Sequence, residues 1–294
     1  MDQQLCLLTV HAHPDDEASK GAGTVARYHA EGVRTVLVTC TGGEAGDILN
    51  PAMDTEEVRA RLAEVRREEL QRAADLIGYD EVVWLGYRDS GMPGSEANED
   101  PRCFAKAPLD EAVGRLVAVI RRVRPQVIVT YPEEQSGYPH PDHLRVHEIS
   151  VAAFDAAGDP GSYPDAGPVW QPSKLYYVSW SVRRMVATHE KFLELGFESP
   201  FTDERFQRWL ATADQTPAEP MASIDITGHV GAAREALRAH ATQIDPTSRH
   251  WFGLPPEVAD TIHPFDEYLL ARNLTEAGPT DDDLFAGVRA PARR

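Results

Sequence analysis

The chain is poor in cysteine: Cys6, Cys40 and Cys103 are the only three in 294 residues, and no CxxC pair occurs. Neither a disulfide framework nor a structural zinc knuckle is therefore indicated. Cys6 and Cys40 lie in apolar runs and read as buried packing residues rather than nucleophiles. No apolar run comes near the length needed to cross a bilayer. The N-terminus passes directly into the apolar residues 5–10, too short and too early for a secretory leader, so a cytoplasmic location is expected. Basic residues are also in the minority, with 29 Lys and Arg against 47 Asp and Glu, for a formal net charge of -18. Such a surface repels phosphate backbones and anionic lipid, so neither nucleic acid nor a membrane is an expected partner. The GxGxxG turn that a dinucleotide binder carries after its first strand is missing. Internal repeats and low-complexity tracts are missing too.

What the chain does have is a rhythm of apolar strands and amphipathic helices. Strands are expected over residues 5–10, 34–40, 82–85 and 126–131, and helices over 17–31, 54–77, 109–123 and 143–157. Gly32, Gly78 and Arg124-Pro125 supply the helix stops. A Gly-rich loop covers 41–47, and a loop rich in Gly, Pro and acids covers 87–108. This alternation predicts an α/β fold: a Rossmann-like, mostly parallel sheet flanked by helices, with the active site at the carboxyl ends of the strands. After Gly158 the rhythm loosens to a strand over 175–180, a helix over 183–196, a strand over 222–226 and a helix over 230–242. No linker is long enough to free this half. We therefore expect one domain over 1–294, with a core sheet in 1–157, a covering part and pocket wall in 158–272, and a tail in 273–294. That tail is expected to be loosely ordered apart from Leu284 and Phe285.

Two polar clusters follow apolar strands. Residues 11–17 read His-Ala-His-Pro-Asp-Asp-Glu, two imidazoles and three carboxylates in seven positions, and residues 140–143 read His-Pro-Asp-His. A catalytic zinc takes three protein ligands and keeps one position open. His13, Asp16 and His143 supply such a set if the chain turns from strand into helix at Pro14. Asp16 and Glu17 would then lie in the first helical turn, where the helix dipole favours carboxylates. Asp15 would point past the metal toward its water and act as general base. One imidazole of the second cluster can bind metal while His140 faces the reacting carbonyl, with Asp142 holding His140 in its donating tautomer. An isolated HxxH or Asp-Asp pair carries little weight, because acidic helix starts are common. Two clusters, each after a strand of one sheet, carry much more. His11, inside the strand end, reads as a packed neighbour of the site rather than a ligand. Two histidines and a carboxylate suit zinc and also Fe2+.

These motifs, HAHPDDE with a later HPDH, resemble the LmbE-like (PIG-L type) N-acetylglucosamine deacetylases. The resemblance implies metal-dependent hydrolysis, usually with zinc, of an amide on a glucosamine-bearing small molecule. Residues 42–54, 17–21, 137–143 and 174–178 resemble the branch that cuts mycothiol S-conjugates between glucosaminyl-inositol and the S-substituted N-acetylcysteine, a detoxification step. Residues 239–246 look common to that branch and to the N-acetylglucosaminyl-inositol deacetylases of mycothiol biosynthesis, which are the alternative. The resemblance repeats the ligand set His13, Asp16 and His143, the base Asp15, and the electrophilic His140 tuned by Asp142. It adds Tyr138 as a loop tyrosine that polarises the carbonyl, with Gly137 allowing the loop to move. It places Asp47, Arg66 and Asp89 on the pocket rim against sugar and inositol hydroxyls, and Lys20 toward the cysteinyl side of the substrate. The stretch 131–137 departs from the family's Asp- or Asn-rich approach to the second motif, and its extra acids bear on loop closure. A related amidase that processes mycothiol-bearing antibiotic intermediates is therefore a further alternative. From other classes, a non-catalytic sugar-binding module would have no use for Asp15. A structural metal site would fill its fourth position with protein, and no Cys stands near either motif. Homo-oligomer formation is left open.

Overall fold

Seven strands form one sheet: β1 (Cys6–His11), β2 (Arg34–Thr41), β3 (Glu81–Tyr87), β4 (Val127–Thr130), β5 (Lys174–Ser179), β6 (Met221–Asp225) and β7 (Phe265–Asn273). Their order across the sheet is β3-β2-β1-β4-β5-β7-β6. The first five run parallel, with Val10 beside Val38 and Leu8 beside Ile128, while β7 is antiparallel to both β5 and β6. The computed structural model describes residues 4–134, 138–179, 181–202, 204–210, 221–276 and 282–289. Gly137 and Trp180, which figure in the expectations above, lie outside the described residues, as do 277–281 and 290–294 of the expected tail.

The α-helices among the described residues are α1 (Asp16–Ser19), α2 (Ala22–Ala30), α3 (Glu56–Ala60), α4 (Leu62–Ile77), α5 (Glu96–Glu99), α6 (Leu109–Val123), α7 (Pro141–Ala157), α8 (Val182–Glu194), α9 (Glu204–Leu210), α10 (Val230–Ala239), α11 (Arg249–Phe252) and α12 (Pro256–Ala259). Helices α6 and α7 pack together, and α2, α4 and α10 form a second group. With both faces covered, the central strands need no polar side: every residue of β1 and β4 is buried. Helix α6 buries Val113, Leu116, Val117 and Ile120, a stripe at helical spacing. It ends at Arg124, which takes a left-handed φ of 58° just before Pro125.

The structure corrects three expectations. The helix over 17–31 is broken at Gly21, whose φ is 87° and where a Cβ would lie 2.5 Å from the Tyr268 hydroxyl. The helix over 54–77 is broken at Arg61, whose backbone leaves helical geometry. The second half also does more than cover the sheet, since β5, β7 and β6 extend it. Near the end of the chain Leu284 and Phe285 are buried, with the Leu284 N–H donating to Tyr28 Oη at 2.8 Å and the two rings of Tyr28 and Phe285 5.2 Å apart.

Candidate active site

The chain winds outward from β1 to β3 and then returns to lay β4 on the other side of β1. Adjacent loops diverge at such a switch point and leave a crevice at the carboxyl ends of the strands. The loops after β1, β3 and β4 supply the site. In the first, Asp15 takes a φ of 112°, a left-handed conformation costly for any residue with a Cβ. The surroundings hold it there. Its N–H donates to Glu17 Oε2 at 3.0 Å, and the other oxygen of Glu17 meets His240 Nε2 at 2.5 Å. Arg66, buried behind the loop, donates to the carbonyls of Pro14 and Gly43 at 2.5 Å each and to Asp15 Oδ2 at 3.0 Å. Burial pushes the Asp15 carboxyl up, and the Arg66 guanidinium pulls against that rise.

His13, Asp16 and His143 come together as a buried set whose donor atoms all lie within 4.8 Å of one another, a group that could hold a metal ion. His13 Nδ1 is 3.5 Å and His143 Nε2 3.4 Å from the same oxygen, Asp16 Oδ2. The far nitrogen of His13, Nε2, meets Asp142 Oδ2 at 3.1 Å and lies 3.6 Å from Asp89 Oδ1. Burial works against a charged His13, but Asp142, Asp16 and Asp89 outweigh it and hold its pKa well above the ordinary imidazole value. The field that favours a proton on Nδ1 also favours a cation between Nδ1, Asp16 and His143. Two imidazole nitrogens and a carboxylate, open on one side, fit a catalytic zinc and equally Fe2+. His13, Asp89 and His140 form a second group meeting the same distance test, with His13 common to both.

A cavity of about 320 Å³ opens over these residues. Asp15, Lys20, Arg66, Asp89, Tyr138, His140, His143 and Trp251 are among its walls. His140 caps α7, and its Nδ1 accepts the backbone N–H of Asp142 at 3.2 Å, which places the proton of a neutral ring on Nε2. Burial, reinforced by the charge of His13, holds the His140 pKa down to about 4. Tyr138 is half exposed, with its ring centroid 5.8 Å from that of His143.

Several expected contacts differ. The Asp142 carboxylate does not hold His140; it accepts from His13, from the Ser90 N–H at 2.9 Å and from the Ser90 hydroxyl. The tautomer expected of His140 is set instead by the Asp142 backbone. Asp89 is buried against His13 rather than on a rim, and accepts the N–H groups of Ala45 and Gly91. Arg66 reaches the cavity from below, already bound to Asp15 and two carbonyls. Asp47 is exposed and outside the cavity lining; its carbonyl accepts from Gln243 at 3.1 Å. The Lys20 ammonium sits 2.6 Å from Asp16 Oδ1. His11 is fully buried, with Nδ1 3.0 Å from Tyr131 Oη, and burial lowers its pKa to about 4.

Sequence reasoning gave no role to Glu17, Ser90 or His240, or to Glu69 and Thr242. Glu69, in α4, accepts from the Thr242 N–H at 2.9 Å and from its hydroxyl at 2.6 Å, and the Thr242 carbonyl accepts the Leu49 N–H. Residues 239–246 thus tie the second half to α4 and to the loop after β2. The stretch had stood out by resemblance, but nothing in it showed what it touches.

A sequence profile of the PIG-L family, described as GlcNAc-PI de-N-acetylase, matches residues 8–154. A mycothiol S-conjugate amidase of Streptomyces coelicolor is 44% identical over 301 residues, covering 98% of this chain and 99% of that protein. The chain belongs to the PIG-L family. Another relative, the 1D-myo-inositol 2-acetamido-2-deoxy-alpha-D-glucopyranoside deacetylase of Geodermatophilus obscurus, is 42% identical over 295 residues, covering 96% of this chain and 97% of its own. Among solved structures, N,N'-diacetylchitobiose deacetylase from Pyrococcus horikoshii matches with a TM-score of 0.59 and 17% identity, over 90% of this chain and 83% of its own. At that identity the likeness shows the fold alone. The PIG-L chain is a hydrolase of the deacetylase and amidase class, acting on amide bonds.

Proposed function

We propose that this PIG-L enzyme is a zinc-dependent amidase that hydrolyses mycothiol S-conjugates at the amide between glucosaminyl-inositol and the S-substituted N-acetylcysteine. The observation that carries the reading is the convergence of Asp15 and His140 on one cavity with the set His13, Asp16 and His143. A zinc ion held by that set would polarise the amide carbonyl and lower the pKa of the attacking water. Asp15 takes the proton from that water, with Arg66 fixing its orientation. His140, carrying its single proton on Nε2, donates a hydrogen bond toward the carbonyl oxygen as charge develops there, and the proton taken up by Asp15 passes to the departing amine. Tyr138 adds a second donor from the cavity mouth. The amine of glucosaminyl-inositol and an S-substituted N-acetylcysteine leave as products.

The choice of branch is supported by the relative that shares 44% identity with this chain and by Lys20. Its ammonium stands between Asp16 and the outer cavity, where it can meet the cysteinyl half of a long substrate. The deciding experiment compares amine release by the zinc-loaded enzyme from a mycothiol S-conjugate and from N-acetylglucosaminyl-inositol. The conjugate is expected to have the higher kcat/KM. A preference for the acetyl substrate would make the enzyme a biosynthetic deacetylase and overturn the branch.

A further inference from the structure

Beside the metal-site cavity lies a second one of about 230 Å³. Ser19, Lys20 and Trp251 line both, so the two hollows adjoin at those side chains. Apart from residues 19–21, the second hollow is built by the later half of the chain. Phe192, Phe201, Leu254 and Ile262 on its wall belong to a small apolar cluster separate from the main core, with Met185 packed against it.

The charged groups on this wall are already engaged. Arg184 donates to the carbonyls of His263 and Phe265 and pairs with Asp266. Glu267 lies 3.5 Å from His263 Nε2, Arg249 3.3 Å from Glu198, and Lys20 is bound to Asp16. The surface left for a guest is mainly aliphatic and aromatic, with the hydroxyls of Ser179, Ser181 and Thr188 among its polar groups. An apolar cavity of roughly 150 Å³ is enough to take benzene, so this chamber has room for a single ring or a chain of several carbons.

We infer that the chamber binds the apolar end of the acyl half of the scissile amide, which enters past Lys20 and Trp251 while the carbonyl stays over His13, Asp16 and His143. The inference rests on the amide-hydrolase reading above and adds the class of acyl group the enzyme selects: large and apolar rather than acetyl. For a mycothiol conjugate, that end is the substituent on sulfur. Each buried methylene strengthens binding by about three- to fourfold, so chain length is a sensitive probe.

The test uses the full-length zinc-loaded enzyme with two probes, N-acetyl- and N-octanoyl-glucosaminyl-inositol. The kcat/KM for the octanoyl probe is expected to exceed that for the acetyl probe by tenfold or more. Thr188→Phe and, independently, Ala259→Phe each place a ring in the chamber and are expected to lower that ratio at least tenfold. Calorimetric titration of the metal-free protein, which cannot turn the probes over, is expected to show the same order of affinities and its loss in the variants. Equal kcat/KM for the two probes, or a ratio that neither variant alters, would overturn the chamber assignment and leave amide hydrolysis standing. Absence of amine release from both probes would remove the amide-hydrolase reading, and the inference with it.

Discussion

His13 presents a different nitrogen to each side of the site, Nδ1 toward Asp16 and Nε2 toward Asp142. A carboxylate behind a ligating imidazole fixes the tautomer and raises the basicity of the coordinating nitrogen. Asp142 is fully buried and also anchored by Ser90, so it holds the ring in place. The variant Asp142→Asn is therefore expected to keep its fold and to bind zinc about 10- to 100-fold more weakly, measured by competition with a chelator of known affinity. Unchanged affinity would show that the carboxylate has no such role. From the sequence, Asp142 was legible as a member of the site and not as the partner of His13. Its position between two histidines suggests contact with a neighbour in sequence. The contact it makes spans 129 positions and depends on the loop after β3, whose Ser90 fixes which way the carboxylate faces.

At the scale of elements, the loop after β2 supports the loop after β1 in part through the close approach of Gly43 to Arg66. Gly43 has a φ of 67°, and a Cβ there would run into the Arg66 guanidinium that anchors Pro14 and Asp15. Gly43→Ala should cost about 1 kcal/mol or more in stability from the left-handed backbone alone. Its larger effect should be on turnover, a fall of more than tenfold in kcat as Asp15 loses its anchor. Thermal unfolding and steady-state kinetics on the same variant separate the two, and an unchanged kcat beside a lowered Tm would count against the anchoring role. Elements with one strong apolar stripe and clear stops were legible in the sequence. Helix α6 spans Leu109–Val123, as its periodicity and Arg124-Pro125 predict. Gly21 was not legible as a break, because the residues on both sides keep helical spacing and only the nearness of Tyr268 demands the turn. Strand β7 was missed because its sequence, FDEYLLARN, has neither clean alternation nor a continuous apolar run; it follows from the partners β5 and β6 on either side.

At the scale of the molecule, the two halves are joined by a buried ion pair. Glu17 and His240 lie 223 positions apart, and both side chains are fully enclosed. Burial works against the charged imidazole, and Glu17 outweighs it, so the folded-state pKa of His240 is raised above its ordinary value of about 6.5. The pair's contribution to stability is thus fully present below about pH 6.5 and is lost as pH rises through the raised value. The difference in unfolding free energy between the native protein and His240→Gln should shrink as pH rises from 6 to 9, measured by denaturant titration at each pH. A constant or growing difference would overturn this assignment. The strand order has a consequence for synthesis as well. The parallel strands β1 to β4 all leave the ribosome before β5, which in the finished sheet covers the outer side of β4. Until Lys174–Ser179 has been added, Val127–Thr130 presents a bare, apolar edge able to pair with another nascent chain. The finished protein conceals that edge, so the hazard is confined to the nascent chain.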